Sequence, residues 1–325
     1  MFRNVMLPLD GSALADAAFP LAVDVAKRCD AHLHLVRVHQ VPTPTMDAVV
    51  NPQYDAMLRE WQREAMFKRL DQARSRGVDG CAVLLEGAVV DELQAYAGSA
   101  DVDLIIMSTH GRGGIARVVM GSVAEHMVRT SAAPVLLLPS AVDRNRAASA
   151  SSIKRVLLPM DGTAEGEQIL PHAIAIAELC DAELLLLHVA FSPLPLALSA
   201  VGPVPVANDY AAVAESSYLD GILRSIPATV RVRAVVGSGM RPGDAILEQA
   251  VREQVDLISM ATHGRSGWAR VAYGSIAEHV LRHANIPVLM KRVETVRPPD
   301  FTELHDRKSL MPDVSGKSRH GEHVG

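Results

Sequence analysis

Cysteine is scarce in this chain of 325 residues. The three present, Cys29, Cys81 and Cys180, lie far apart and outside the paired spacings of zinc ribbons and dithiol redox motifs. They read as reduced thiols of the core or surface. An excess of one charge is also missing. The formal net charge is -5, with acids and bases mixed along the chain, so there is no broad cationic field to draw in nucleic acid or an anionic membrane. Long apolar runs are absent too. The opening MFRNVMLPLDGS holds only a short apolar stretch broken by Pro8, too short for the core of a secretory signal, and a cytoplasmic location is expected. The most apolar irregular stretch, 191–207, carries prolines at 193, 195, 203 and 205. It cannot run as ~20 uninterrupted helical residues across a bilayer and reads as a loop or lid. Finally, the phosphate-binding sequence GxxxxGK followed by Ser or Thr does not occur, which argues against efficient phosphoryl transfer.

What is present is a repeat with a period of about 150 residues. VMLPLDGSALADAAFPLAVDVAKRCDAHLHLVRV near the start is matched by VLLPMDGTAEGEQILPHAIAIAELCDAELLLLHV. Asp10 thereby aligns with Asp161, Pro20 with Pro171 and Cys29 with Cys180. Further on, HGRGGIARVVMGSVAEH (110–126) matches HGRSGWARVAYGSIAEH (263–279) at 12 of 17 positions without a gap. The expected organisation is a first domain over 1–140, a linker over 141–152, a second domain over 153–292 and a disordered tail over 293–325. The linker is polar and rich in Ala and Ser, with nothing to bury. The tail is polar and without periodicity.

Within the first copy, short β-rich runs occupy 5–9, 32–38, 81–86, 103–108 and 134–139, and each has a counterpart in the second. Consecutive apolar residues of this kind suit strands buried on both faces, as in parallel sheets covered by helices. Helical patterns fill the gaps at 13–29, 55–76, 89–99 and 122–131. The predicted fold is α/β, with two tandem doubly wound five-stranded parallel sheets.

In such sheets the ligand crevice lies beyond the carboxyl ends of the strands. Three places there occur in both copies. The first is Asp10-Gly11-Ser12 and Asp161-Gly162-Thr163. Two readings of these acids are open: a carboxylate facing ribose hydroxyls or phosphate-bound magnesium, or an acceptor that caps the next helix. The second runs from Ser108, Thr109, His110 and Gly111 to Gly121-Ser122, and from Ala261, Thr262, His263 and Gly264 to Gly274-Ser275. A glycine after a strand lets an anion approach the backbone, and a glycine opening a helix offers unpaired N–H groups and the positive dipole end. Arg112, Gly113 and Gly114, with Arg265, Ser266 and Gly267, make the intervening loops basic, and no lysine lies in either. Ser122 and Ser275 also begin Ser-x-x-Glu, the capping-box pattern that needs no ligand. The third place is the end of the second strand, Val38 and Val189, where backbone groups could meet an adenine ring. His110, His126, His263 and His279 repeat as well, but no acid or nucleophile is spaced to complete a triad, and no catalytic role is assigned to them.

These residues resemble the universal stress protein family, and the chain is similar to a tandem member of it. The family's nucleotide signature is a glycine, two residues, a glycine, nine residues, then Gly-Ser or Gly-Thr. Gly111 with Gly121-Ser122, and Gly264 with Gly274-Ser275, match its later elements, whereas Ser108 and Ala261 replace the leading glycine. The resemblance implies strand order 3-2-1-4-5, pairing of the halves through the fifth strand as an internal pseudo-dimer, and a site made of Asp10, Val38, Ser108, Gly111, Gly121 and Ser122 with their counterparts Asp161, Val189, Ala261, Gly264, Gly274 and Ser275. It implies ATP with Mg2+ as ligand, a regulatory role in stress responses with slow or no hydrolysis, further assembly into homo-oligomers and an unidentified regulatory protein partner. A nucleotide-free scaffold and a weak ATPase or autophosphorylating protein are the competing readings. The loops after the second strand differ between copies, HQVPTPTMDAVVNPQ against FSPLPLALSAVGPVPV, so unequal affinities are expected.

Overall fold

In the computed structural model the described residues are 2–40, 51–109, 120–139, 149–191, 218–239, 241–262 and 274–293. Ten strands form one sheet. They are β1 (Asn4–Pro8), β2 (His32–His39), β3 (Gly80–Glu86), β4 (Leu104–Ser108), β5 (Val135–Leu138), β6 (Arg155–Met160), β7 (Glu183–Phe191), β8 (Val232–Gly239), β9 (Leu257–Ala261) and β10 (Val288–Lys291). Their order across the sheet is β3-β2-β1-β4-β5-β10-β9-β6-β7-β8. Each half is thus a five-stranded unit of order 3-2-1-4-5, parallel throughout. The halves meet where β5 and β10 run antiparallel, with Leu136 opposite Leu289 and Leu137 opposite Val288. Neither fifth strand leaves an open backbone edge at this seam.

The apolar runs become central strands because both faces are covered. Val5, Met6 and Leu7 of β1 and Leu104, Ile105 and Ile106 of β4 are fully buried. Helices α1 (Ala13–Asp16), α2 (Phe19–Cys29) and α3 (Pro52–Ser75), with α6 (Ala164–Glu167), α7 (Leu170–Cys180) and α8 (218–225), belong to one layer. Helices α4 (Val89–Ser99), α5 (Ser122–Thr130), α9 (Pro242–Arg252) and α10 (Ser275–His283) form the other. Each layer's apolar cluster runs through both halves.

Two expectations are corrected. The single helix over 13–29 is two helices, α1 ending at Asp16 and α2 starting at Phe19, and α6 and α7 break in the same way. Pro20 and Pro171 have no N–H to donate to the carbonyls of Asp16 and Glu167, so the ladder stops there. The linker does bury something. Its described end forms a 3-10 turn, Ala150–Ser152, with Ala150 fully buried in the core. The Asp24 carboxylate of α2 accepts hydrogen bonds from Ser149 Oγ at 2.6 Å and the Ala150 N–H at 2.7 Å. The linker before residue 149 and the tail beyond residue 293 lie outside the described residues. Among the described residues no helix is long and apolar enough to cross a membrane.

Candidate functional site

The strand order places β1 between β2 and β4, and β6 between β7 and β9. In each half the connections leave the first strand in opposite directions, which opens a crevice at its carboxyl end. The residues in question gather there. Pro8 sits opposite Val36, and the same offset brings Asp10 level with Val38. Val5 sits opposite Leu104, and the same offset brings Leu9 level with Ser108. In the second half Met160 sits opposite His188, which sets Asp161 level with Val189. Leu157 opposite Ile258 sets Met160 level with Ala261. Asp10, Val38 and Ser108, like Asp161, Val189 and Ala261, are half-buried.

Asp10 and Asp161 turn out to brace the chain reversal rather than cap a helix. Asp10 Oδ1 accepts from the Ser12 N–H at 2.8 Å, and Asp161 Oδ1 accepts from the Thr163 N–H at 3.1 Å. The capping acceptors are two residues further on: Ser12 Oγ receives the Ala15 N–H, and Thr163 Oγ1 receives the Gly166 N–H. Gly11 and Gly162 stand in the left-handed region with φ 82° and 77°, where a β-carbon is costly. The copies then diverge. Thr163 Oγ1 donates to Asp161 Oδ1 at 2.6 Å, and Gly166 lies so close beneath that carboxylate that a β-carbon there would be 2.5 Å from Oδ1. The first copy has Ala15 at that place.

The helices after the loops hold the second feature. The Gly121 N–H donates to the Thr109 carbonyl at 2.7 Å, and the Gly274 N–H donates to the Thr262 carbonyl at 2.7 Å. Thr109 and Thr262 are themselves fixed to the neighbouring strands through their N–H groups, to Leu138 and Lys291. These bonds close the base of each glycine-bearing loop and fix the amino ends of α5 and α10 beside β4 and β9. The expected capping box does not form. Gly121 and Gly274 are the N-caps, so Ser122 and Ser275 are the first helical residues, and Glu125 and Glu278 fall one position too late for the reciprocal bond. Glu278 pairs instead with Arg282 at 2.6 Å, one turn along. A glycine cap has no side-chain acceptor, and the first-turn N–H groups keep their capacity for an anion. Ser122 and Ser275 are exposed.

Gly111, Arg112, Gly114, Gly264, Arg265 and Gly267 lie outside the described residues, as does the proline-rich loop after β7. His279 bonds Asp244 of α9 through Nε2 at 2.6 Å and stacks on His283.

Sequence reasoning missed two groups. Arg37 is buried, its guanidinium packed so close to Gly11 that a β-carbon there would be 2.8 Å from Nη1, and it lies 5.7 Å from the centre of the Trp61 ring. A lone arginine inside HLHLVRV was the available signal; the second copy has His188 there. At the end of β2, buried His39 bonds Gln62 at 3.0 Å and Asp55 at 2.8 Å. Asp55 also pairs with Arg59, which reaches Glu86 at 2.8 Å. The hydrogen bond from His39, together with Arg59, holds the Asp55 carboxyl below its ordinary range. This network locks the start of α3 to the strand ends of the first copy.

Residues 1–139 and 152–292 each match the universal stress protein family. A universal stress protein of Methanocaldococcus jannaschii is 30% identical over 141 residues, covering 42% of this chain and 82% of that protein. A relative named for the same family in Staphylococcus haemolyticus is 32% identical over 139 residues, covering 42% and 84%. Among solved structures, a universal stress protein from Archaeoglobus fulgidus superposes with a TM-score of 0.67 at 18% identity, over 89% of this chain and 98% of that one. Shared architecture, one sheet built from two repeats, is what that likeness shows. From the two matches and the duplicated strand-end geometry it follows that the chain belongs to the universal stress protein family, with two copies of the family's domain in tandem.

Proposed function

We propose that each half binds an adenine nucleotide, ATP with Mg2+, across the row of strand ends, and that occupancy regulates a protein partner in a cytoplasmic stress response, with slow or no hydrolysis. One observation carries this reading. In both copies a glycine-capped helix start is fastened, by a 2.7 Å backbone bond, beside the carboxyl ends of the central strands. N–H groups and the helix dipole there suit a polyphosphate. The residues present fit the ligand. Ser122 and Ser275 offer hydroxyls at the helix starts, Asp10 and Asp161 offer carboxylates to ribose or magnesium, and the backbone at Val38 and Val189 offers adenine its partners. The sequence adds the basic residues Arg112 and Arg265 and the glycines Gly111, Gly114, Gly264 and Gly267 just before these helix starts, a composition that suits phosphate. Magnesium, when bound with ATP, would neutralise phosphate charge, a task no lysine in these loops can perform.

The test is acid extraction of the chain purified without added nucleotide, followed by quantification of adenine nucleotide per chain. Recovery of bound ATP, lowered by Gly111→Val and Gly264→Val in a chain of unchanged circular dichroism, supports the reading. Absence of nucleotide, with no saturable binding at millimolar ATP, contradicts it and leaves a scaffold whose glycines only shape loops. The β-carbons of Ser108 and Ala261, where the family signature has glycine, favour that alternative.

A further inference from the structure

At the opposite end of the first half, three side chains from two neighbouring strands converge. His32 and His34 alternate along β2 and so share one face of the sheet, and the parallel register sets Cys81 of β3 directly beside His34. One ligand atom from each of His32, His34 and Cys81 lies within 4.8 Å of the other two. We propose that these three residues form a binding site for a divalent transition-metal ion of the zinc class, separate from the strand-end row.

Four observations carry the assignment. First, Cys81 Sγ lies 3.5 Å from His34 Nδ1. A tetrahedral zinc ion, with sulfur at about 2.3 Å and nitrogen at about 2.0–2.1 Å, separates those two ligands by roughly 3.6 Å. Second, outer partners orient both rings. His34 Nε2 faces Asn4 Oδ1 at 3.4 Å, and His32 Nδ1 faces Asp79 Oδ2 at 2.8 Å. With those nitrogens protonated, the lone pairs left are His34 Nδ1, on the side of Cys81, and His32 Nε2. A carboxylate behind a ligating histidine is the usual second layer of a zinc site. Third, His32 is partly exposed and, with Asp79, lines an open cavity, so one of the three ligands is reachable from solvent. Fourth, the second copy does without these groups. Glu183, Leu185 and Arg233 stand in place of His32, His34 and Cys81, and Arg233 pairs with Glu183 at 3.0 Å and with Glu253. The domain therefore does not require this cluster for folding, and the ion belongs to the first half alone.

Binding is an exchange at sulfur. The Cys81 S–H proton leaves to water, the thiolate and the two neutral imidazoles each give a lone pair to the ion, and no electron changes hands. The Tyr96 hydroxyl, now 2.9 Å from His34 Nδ1 and 3.7 Å from Cys81 Sγ, yields the nitrogen lone pair and donates to the thiolate instead. The ion ties β2 to β3, the outer strand of the first half, under α4.

The probe is Co2+, titrated into the reduced, metal-free full chain, with Zn2+ added afterwards. Expected are one equivalent per chain, visible bands of tetrahedral intensity, and a near-ultraviolet sulfur-to-cobalt band that Zn2+ abolishes. Cys81→Ser removes the sulfur band and weakens cobalt binding roughly 100-fold or more, since loss even of an outer partner costs 10–100-fold. Cys29→Ser and Cys180→Ser leave the band in place. Should Cys81→Ser fail to fold, the partly exposed His32→Ala must weaken binding comparably, and Asp79→Asn roughly tenfold. No sulfur band at one equivalent in the wild-type chain, or a band that survives Cys81→Ser, overturns the proposal. Histidines elsewhere in the chain supply no sulfur and cannot mimic the signal.

Discussion

At the scale of the residue, the two halves use the same positions differently, and single substitutions separate them. Gly166→Ala drives a β-carbon against the Asp161 carboxylate. We expect it to weaken ATP at the second site about tenfold while leaving the first unchanged, as measured by titration of each single-site background. Ala15→Gly in the first half removes a methyl group without touching Asp10 and serves as the control. Asp24 gives a pH signature. Burial raises its pKa, but hydrogen bonds from Ser149 and Ala150 and the charge of Arg28 outweigh that and hold it below its ordinary 3.8. A carboxylate whose folded value is depressed adds stability above its unfolded pKa and loses it as the pH falls through the folded one. Asp24→Asn should therefore cost about 1–2 kcal/mol at pH 7, typical of lost charge-assisted bonds. The difference from wild type should shrink below pH 4, in denaturant melts across pH 3–7. Arg37 shows what stays hidden at this scale. Its burial depends on Gly11 having no side chain and on Trp61 arriving from α3, neither of which a pattern of apolar alternation reveals.

At the scale of the element, the proposed nucleotide binding rests on the starts of helices. Gly121, with φ -61° and ψ 143°, occupies a conformation open to any residue. Asp is the better cap, by a few tenths of a kcal/mol. Gly121→Asp should thus raise the melting temperature slightly while weakening ATP at the first site at least tenfold, because a carboxylate then occupies the anion's place. A fall in both would mean that the helix start is structural only. The strands were legible in the sequence because runs such as DLIIMS are buried on both faces. In the first copy their boundaries fall within one residue of the observed ones, whereas β7 and β8 run two and three residues past the apolar runs that announce them. The break between α1 and α2 was written in Pro20, but an apolar pattern that continues across it concealed the stop. The Ser-x-x-Glu pattern at Ser122 leaves the cap open for a related reason, although the serine does begin the helix. Ser-x-x-Glu fixes only a spacing, and the backbone chose the residue before the serine, whose N–H is held by Thr109. Cys81 could not be linked to His32 and His34 from spacing at all, since strand pairing joins residues 47 apart.

At the scale of the whole molecule, the ten-stranded sheet should unfold as one unit. Leu136, Leu137 and Leu289 at the seam are fully buried, Lys291 of β10 donates to the Ala132 carbonyl across it, and Arg28 of α2 reaches the Leu179 carbonyl of α7. Leu289→Ala should cost about 2–5 kcal/mol, and calorimetry should show a single transition in the wild type that splits as the seam weakens. The repeat made this architecture readable, since one copy interprets the other. It also makes the central claim countable. The decisive measurement is calorimetric titration of the nucleotide-free full chain with ATP and Mg2+, alongside Asp10→Ala and Asp161→Ala. The account predicts two equivalents per chain in the wild type and one in each variant. Absence of saturable heat at millimolar ATP, or a stoichiometry that neither variant changes, would contradict it.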